Sequence, residues 1–286
     1  MTVCRSSSDS EPQGEVVPPL GPPEPVPDYH PTEVAGSTYA DRQPARRSRH
    51  GELFAAPATY VLVAINVAVF LWMLYEGVSF NSTSDLVRFG ATSTSRMQDH
   101  GQWYRLVTAI FVHGGWVHLL TNMWCLWNLG LLGEPLLGPF GLAAVYVLTG
   151  AAGNLLSMAW NVLQNHDEVG VGASGAVFGI AGILIVLLSN RKLPIPWEEL
   201  RRLRRSVIQF AILNLVIGGA MLFARDFIRI DNFAHIGGFL SGLALGGPLV
   251  PRMTSGRERY LIRQKITFAF AALALSLFGY WIASLR

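Results

Sequence analysis

Charged residues are scarce in this sequence: Asp, Glu, Lys and Arg make up 14% of its 286 residues, against roughly 25% in a typical soluble domain. Cysteine is nearly missing too, with Cys4 near the N-terminus and Cys125 inside an apolar run. Two isolated thiols give no basis for a disulfide framework or a multi-cysteine zinc site, so no metal and no cofactor is expected. Ionisable residues are also missing from the middle of the apolar runs, where a transporter or channel would need them. Residues 1–50 lack apolar periodicity and are rich in Pro, Ser and Glu, then Arg. Such a stretch cannot bury enough surface to offset its ordering entropy, which predicts a disordered cytosolic tail over 1–50. No apolar signal-peptide core occurs before Tyr60, so the first apolar run is expected to be an uncleaved anchor.

What the chain has in quantity is apolar sequence, 51% of it, gathered into long runs at 57–77, 115–133, 140–160, 172–189, 206–224, 233–250 and 266–285. A membrane span needs about 20 mostly apolar residues, or fewer where neighbouring helices bury it. The expected fold class is therefore an all-α polytopic membrane protein. Sixteen of the 22 Lys and Arg lie in the tail, in a basic loop expected at 190–205 and in another at 251–265; the other six fall on the opposite side. The positive-inside rule then puts the N-terminus in the cytoplasm and the C-terminus outside, in a plasma membrane. Membrane flanks account for these basic stretches, so no nucleic acid is expected as a partner. The connection at 79–114 is long for a passive hairpin and carries Phe80, Phe89, Trp103, Tyr104 and Phe111. It is expected to be functional and to sit partly in the outer interface. Glu134, at the inner end of the second run, is read as an anchor for a helix end.

Three polar positions lie at one depth. Ser174 sits in Gly170-Val171-Gly172-Ala173-Ser174-Gly175-Ala176-Val177-Phe178-Gly179, at the mouth of the fourth run, and His235 opens the sixth. Each lies 15 residues before the inner end of its run, which at 1.5 Å per residue is roughly 22 Å from the cytoplasmic boundary. Asn122 is 13 residues before Pro135, at a similar level. His118 and Asn122 are four apart and share a helix face; alone, they could equally be an interfacial histidine and an Asn that glues helices. Gly175, Gly179 and Gly182 on one helix and Gly238, Gly242 and Gly246 on another let two backbones approach closely. A histidine inside a membrane is a functional hypothesis by default. Beside a serine at equal depth it can act as general base, while the Ser174 amide, His118 and Asn122 could stabilise an oxyanion. Asp231 is expected to be solvated at the helix mouth, so the chemistry reads as a Ser–His dyad rather than a triad. The elbow of soluble hydrolases is not matched, since Ala176 stands where its last Gly would be.

These residues resemble the rhomboid intramembrane serine proteases over roughly residues 55–285. The carrying motifs are His113…His118-x-x-x-Asn122, Gly172-Ala173-Ser174-Gly175 and Ala234-His235-x-x-Gly238, with Tyr104-Arg105 in the outer connection. The resemblance implies Ser174 as nucleophile, His235 as base, and an oxyanion site from His118, Asn122 and the Ser174 amide. It implies Phe178 against the histidine, with His113, Gly172, Gly175 and Gly238 in support. It also implies single-span membrane proteins as substrates, the lipid bilayer as solvent, and the fifth run as a gate. Oligomeric state is left open. The expected layout is a tail over 1–50, a six-helix core over 55–250, a basic loop over 251–265 and an added C-terminal helix over 266–286. Two positions depart from the family pattern: Tyr104 stands where Trp is common, and bulky Ile230 precedes Asp231. The alternative reading is a non-catalytic relative that binds membrane helices.

Overall fold

Where no water can reach the backbone, every N–H and C=O must be satisfied within the segment, so apolar runs fold as helices. The computed structural model describes residues 56–191, 193, 195–221, 231–250 and 256–285. The 1–50 tail, Ile230 and residues 251–255 of the expected basic loop lie outside the described residues. In chain order come α1 (Pro57–Tyr75), the short α2 (Thr83–Arg88), α3 (Thr94–Gln98) and α4 (Arg105–Thr108), then α5 (Trp116–Gln164), α6 (Ser174–Leu187), α7 (Trp197–Met221), α8 (Asn232–Leu249) and α9 (Arg257–Ala283). The described residues contain helices and no strand. Among them α1, α5 and α9 are long and apolar enough to cross a membrane. Helix α6 is equally apolar, but its 14 residues span only about 21 Å, less than a bilayer core of about 30 Å.

Helix α5 carries the second and third apolar runs in one 49-residue element. Gly138, at φ 76° and ψ 164°, breaks it into arms 116–137 and 139–164. Only glycine enters that conformation without cost, and Pro139 directly after it cannot supply an N–H to the helix ladder. The carbonyls beside the break are picked up by α9: Gln264 Nε2 donates to Leu137 O at 2.8 Å and Tyr260 Oη to Leu136 O at 3.3 Å.

Glu134 is the anchor its position suggested. Its carboxylate accepts from the Ala58 and Thr59 amides, both at 2.8 Å, and from Thr59 Oγ1 at 2.7 Å. These are the amides that a helix leaves orphaned at its start, and α1 has no side-chain cap of its own. Deeper in the bundle, Asn66 Nδ2 donates to Tyr146 Oη at 2.9 Å, joining α1 to the second arm of α5.

Two stretches expected as basic loops are helical. Residues 197–205 form the first turns of α7, because Leu200, Leu203, Val207 and Ala211 repeat at helical spacing and pack inward. Glu198 and Glu199 also sit favourably at its positive end. Residues 257–265 likewise belong to α9, whose buried Gln264 and Phe268 face the core. The connection that leads to Ser174 is short, since α5 continues to Gln164 before Asn165 turns left-handed at φ 56°.

Candidate active site

The turn before α6 is fixed from outside itself. Thr92 donates its amide to Gly170 O at 3.0 Å and accepts from Gly170 N at 2.8 Å through its hydroxyl; Gly172 N donates to Ala109 O at 2.9 Å. The 79–114 connection, folded as α2 to α4, is thus a clamp on the segment that presents Ser174. Gly172 has φ +114°, a conformation that L side chains rarely adopt, and a Cβ there would lie 2.6 Å from His118 Nε2. The absent side chain is what lets the imidazole lie against the turn. Ser174 is the first residue of α6 and is partly exposed. Ala173 precedes it without any side-chain cap, and the Ser174 and Gly175 amides find no acceptor among the described residues.

His118 and Asn122 reach this turn from the first arm of α5. Asn122 is buried, its Nδ2 bonded to His118 O at 2.9 Å and 3.7 Å from where a Gly172 Cβ would stand. His118 Nδ1 accepts from the Gly114 amide at 3.4 Å, which leaves Nε2 on the side of Gly172. The His113 ring stands edge-on to His118 at 5.2 Å between centroids and is itself fully buried, with Nδ1 at 3.2 Å from Phe111 O. His113 therefore supports His118.

His235 comes from α8. Its buried ring stacks on Phe178, one turn past Ser174, at 4.4 Å and 17°. The two helices touch backbone to backbone: a Cβ on Gly238 would collide with the carbonyl group of Gly175, and one on Gly242 with that of Gly179. The Gly175 side-chain direction meets Ala234 O at 3.2 Å. The glycine strip on α6 is not all turned toward α8, however. Gly179 faces Thr149 on the second arm of α5, whose side chain occupies the place of its Cβ, whereas Gly182 faces Phe239 and Leu243 of α8, and Gly246 of α8 faces Val186 of α6. Spacing by four cannot tell these partners apart, because two helices flank α6.

The structure brings Gly172, His118 and Asn122 into one contact and Phe178 and His235 into another, with the Gly175–Gly238 contact between α6 and α8. It does not join Ser174 to His235 by a hydrogen bond among the described residues, nor does His235 Nδ1 have a partner. Catalytic hydrogen bonds are often long before substrate binds.

Asp231 is not freely solvated but partly buried and hydrogen-bonded. It caps α8 by accepting from the Ala234 amide at 2.9 Å, and Ser157 Oγ donates to its other oxygen. Desolvation raises its pKa above the ordinary carboxylate value, partly offset by the Ser157 bond. Ser157, Thr92 and Ala109 were missed as members of the site's surroundings. Only the N-cap preference of Asp before an apolar run pointed at any of these contacts.

Among the described residues no three His, Cys, Asp or Glu come together to hold a metal. A cavity of about 530 Å³ between the second arm of α5, α8 and α9 has an almost wholly apolar lining, including Leu148, Leu245 and Phe270, and contains none of the candidate residues.

Residues 100–252 match a family model described as the Rhomboid domain. Rhomboid protease AarA of Providencia stuartii is 30% identical over 218 residues, covering 70% of this chain and 75% of its own length. Rhomboid protease GluP of Bacillus subtilis (strain 168) is 35% identical over 195 residues, 66% of this chain. RHOMBOID-like protein 6, mitochondrial, of Arabidopsis thaliana is 28% identical over 254 residues, 77% of each chain. The chain spans 35% of the length of GluP and 48% of that of RHOMBOID-like protein 5 of Arabidopsis thaliana.

Proposed function

The chain belongs to the rhomboid family, and from that premise we propose that it is an intramembrane serine endopeptidase working through a Ser174–His235 dyad. The observation that carries this reading is the backbone contact of α6 and α8 at Gly175 and Gly238. Close approach at that point supports a serine on one helix start serving with a histidine on the other.

In the proposed reaction His235 takes the Ser174 hydroxyl proton as Oγ bonds to the scissile carbonyl carbon. The carbonyl oxygen becomes an oxyanion, for which the uncapped α6 amides, Asn122 Nδ2 and His118 Nε2 are the available donors. The proton then passes from His235 to the departing amine as the C–N bond breaks. Water repeats the sequence on the acyl-enzyme: His235 takes its proton, the hydroxyl adds to the carbonyl carbon, and the proton returns to Ser174 Oγ as the acid leaves. The Phe178 stack supports a fixed plane for the imidazole. Asp231, occupied with Ala234 and Ser157, supports a dyad over a triad.

The proposed substrates are single-span membrane proteins cut near the outer face. The N-terminus is assigned to the cytoplasm and the C-terminus to the outside of a plasma membrane, on the sided distribution of Lys and Arg. The proposed layout keeps a six-helix core with α9 as the added helix. The test compares the full chain with Ser174→Ala and His235→Ala in liposomes holding a single-span substrate. Both variants should be inactive at unchanged substrate binding, and equal cleavage by all three would overturn the proposal. Binding of the substrate helix without cleavage by the unmodified chain would favour the non-catalytic alternative.

A further inference from the structure

At the foot of α7 three guanidinium groups gather about one indole. The carbons of Arg191, Arg201 and Arg204 lie 4.5, 5.5 and 5.7 Å from the Trp197 ring centroid. No two of them can then lie farther apart than roughly 11 Å, near the Debye length of ~10 Å at 0.1 M salt, so their positive charge is concentrated in one place. Between 190 and 205 the sequence sets six cations against two carboxylates, Glu198 and Glu199. The ion pair in that set, Arg201–Glu198 at 3.6 Å, is well exposed and offsets little.

One of the three is also tied to the fold. Arg204 Nη1 donates to Ser189 Oγ at 3.0 Å, and Ser189 Oγ in turn donates to Ile185 O at 2.7 Å, which ties the guanidinium to the end of α6. Trp197 packs partly into the main core beside Ile195 and Leu203, with buried Leu200 and Leu193 below. A partly buried indole with three guanidinium groups around it, one of them tied to α6, at the end of two helices, has the chemistry of a site for a phosphodiester at a membrane surface. Arginine matches phosphate oxygens in two-point contacts, and a ring already engaged by cations keeps them arranged.

We propose that Trp197, Arg191, Arg201 and Arg204 form a binding site for the headgroup phosphate of an anionic phospholipid, at the end of the bilayer where α6 stops and α7 starts. The proposal rests on the chain spanning a membrane and not on the peptidase chemistry, so either can fail without the other. An acyl chain beside the apolar part of α7 would add affinity that a free phosphate lacks.

The test is lipid retention by the purified full chain in a neutral detergent, read by native mass spectrometry after exchange with mixed phosphatidylglycerol and phosphatidylcholine. The unmodified protein should retain phosphatidylglycerol selectively, and millimolar inorganic phosphate should not displace it. The pair R191Q/R201Q, which leaves the Arg204–Ser189 bond intact, should weaken retention by about fivefold per charge removed. The pair R257Q/R259Q, equal in charge, should change it little. Replacing Arg191 and Arg201 by Lys should give an intermediate loss, since charge persists without the fork. Equal losses from both Gln pairs would reduce the cluster to diffuse charge and overturn the site. Displacement by inorganic phosphate, or by a short RNA at equal concentration, would overturn the assignment to a lipid.

Discussion

Helices α6 and α8 meet backbone to backbone, yet they begin in opposite ways. Helix α8 starts with its orphan amides answered by Asp231, which Ser157 holds from the second arm of α5. Helix α6 starts at Ser174 with no side-chain cap and with amides that find no acceptor among the described residues. An N-terminal cap is worth about 1 kcal/mol, so leaving one out beside a serine is a cost, and a donor left unused is available for a charge that arises only during reaction. The difference separates a helix end that holds the structure from one proposed to do chemistry.

The comparison is broken most severely by forcing the two helices apart. Gly238→Val puts branched carbons into the Gly175 carbonyl, which is backbone and cannot rotate away. Turnover should fall by more than about 10²-fold, the scale of a 1 Å misplacement. Gly247→Ala, on the same helix with nothing within 4 Å of its new methyl, should leave cleavage unchanged and raise the melting temperature slightly, since Ala loses less backbone entropy than Gly in a helix. Next in size is Asn122→Ala. Loss of one oxyanion donor should lower kcat by about 10²-fold with KM little altered, and an unchanged kcat would remove Asn122 from the site. Phe178→Ala forfeits the stack on His235, worth about 0.5–1.5 kcal/mol beyond area, and should cost roughly tenfold in kcat/KM. Phe178→Tyr should restore most of it.

The capped end sharpens the contrast from below. Asp231→Ala should cost about 1 kcal/mol of stability and Asp231→Asn only a few tenths, because Asn caps as well as Asp. Neither should lower turnover by orders of magnitude; a loss of that size in Asp231→Asn would reinstate a triad. Because burial raises the folded pKa of Asp231 above its unfolded value, its contribution is fullest below the unfolded pKa. It is lost as pH rises through the folded one. Thermal melts in detergent should therefore show a decline above the ordinary carboxylate range that Asp231→Asn flattens.

Much of this was legible in the sequence, and for a definite reason. Helical rise and bilayer thickness are fixed lengths, so counting residues from the ends of apolar runs gave Ser174, His235 and Asn122 one expected level. The glycines beside Ser174 and His235 pointed to the contact that α6 and α8 make at Gly175 and Gly238. Glu134 was readable because a carboxylate beside a helix end has few roles. The failures share a cause as well. Residues 197–205 and 257–265 were read as loops because their charge obscured the apolar positions repeating beneath it, Leu200 to Ala211 above all. The Asp231–Ser157 and Thr92–Gly170 bonds join residues more than seventy positions apart, and no local pattern encodes such pairs. Gly179 meets α8 through its carbonyl at Gly242 but turns its missing Cβ to Thr149, a second neighbour that period and residue size do not reveal.

Gly172 carries a consequence for how freely this chain can drift. Gly101, at φ +65° with open space around it, could give way to Asn, which tolerates left-handed backbone. At Gly172 the backbone takes a conformation that L side chains rarely adopt, and a methyl group there would separately press on the His118 ring. A compensating change at His118 would free the space and leave the backbone objection standing, so no second-site change of that kind reopens the position. In a saturation library selected for cleavage, position 172 should return glycine alone, and position 101 should return at least two residues.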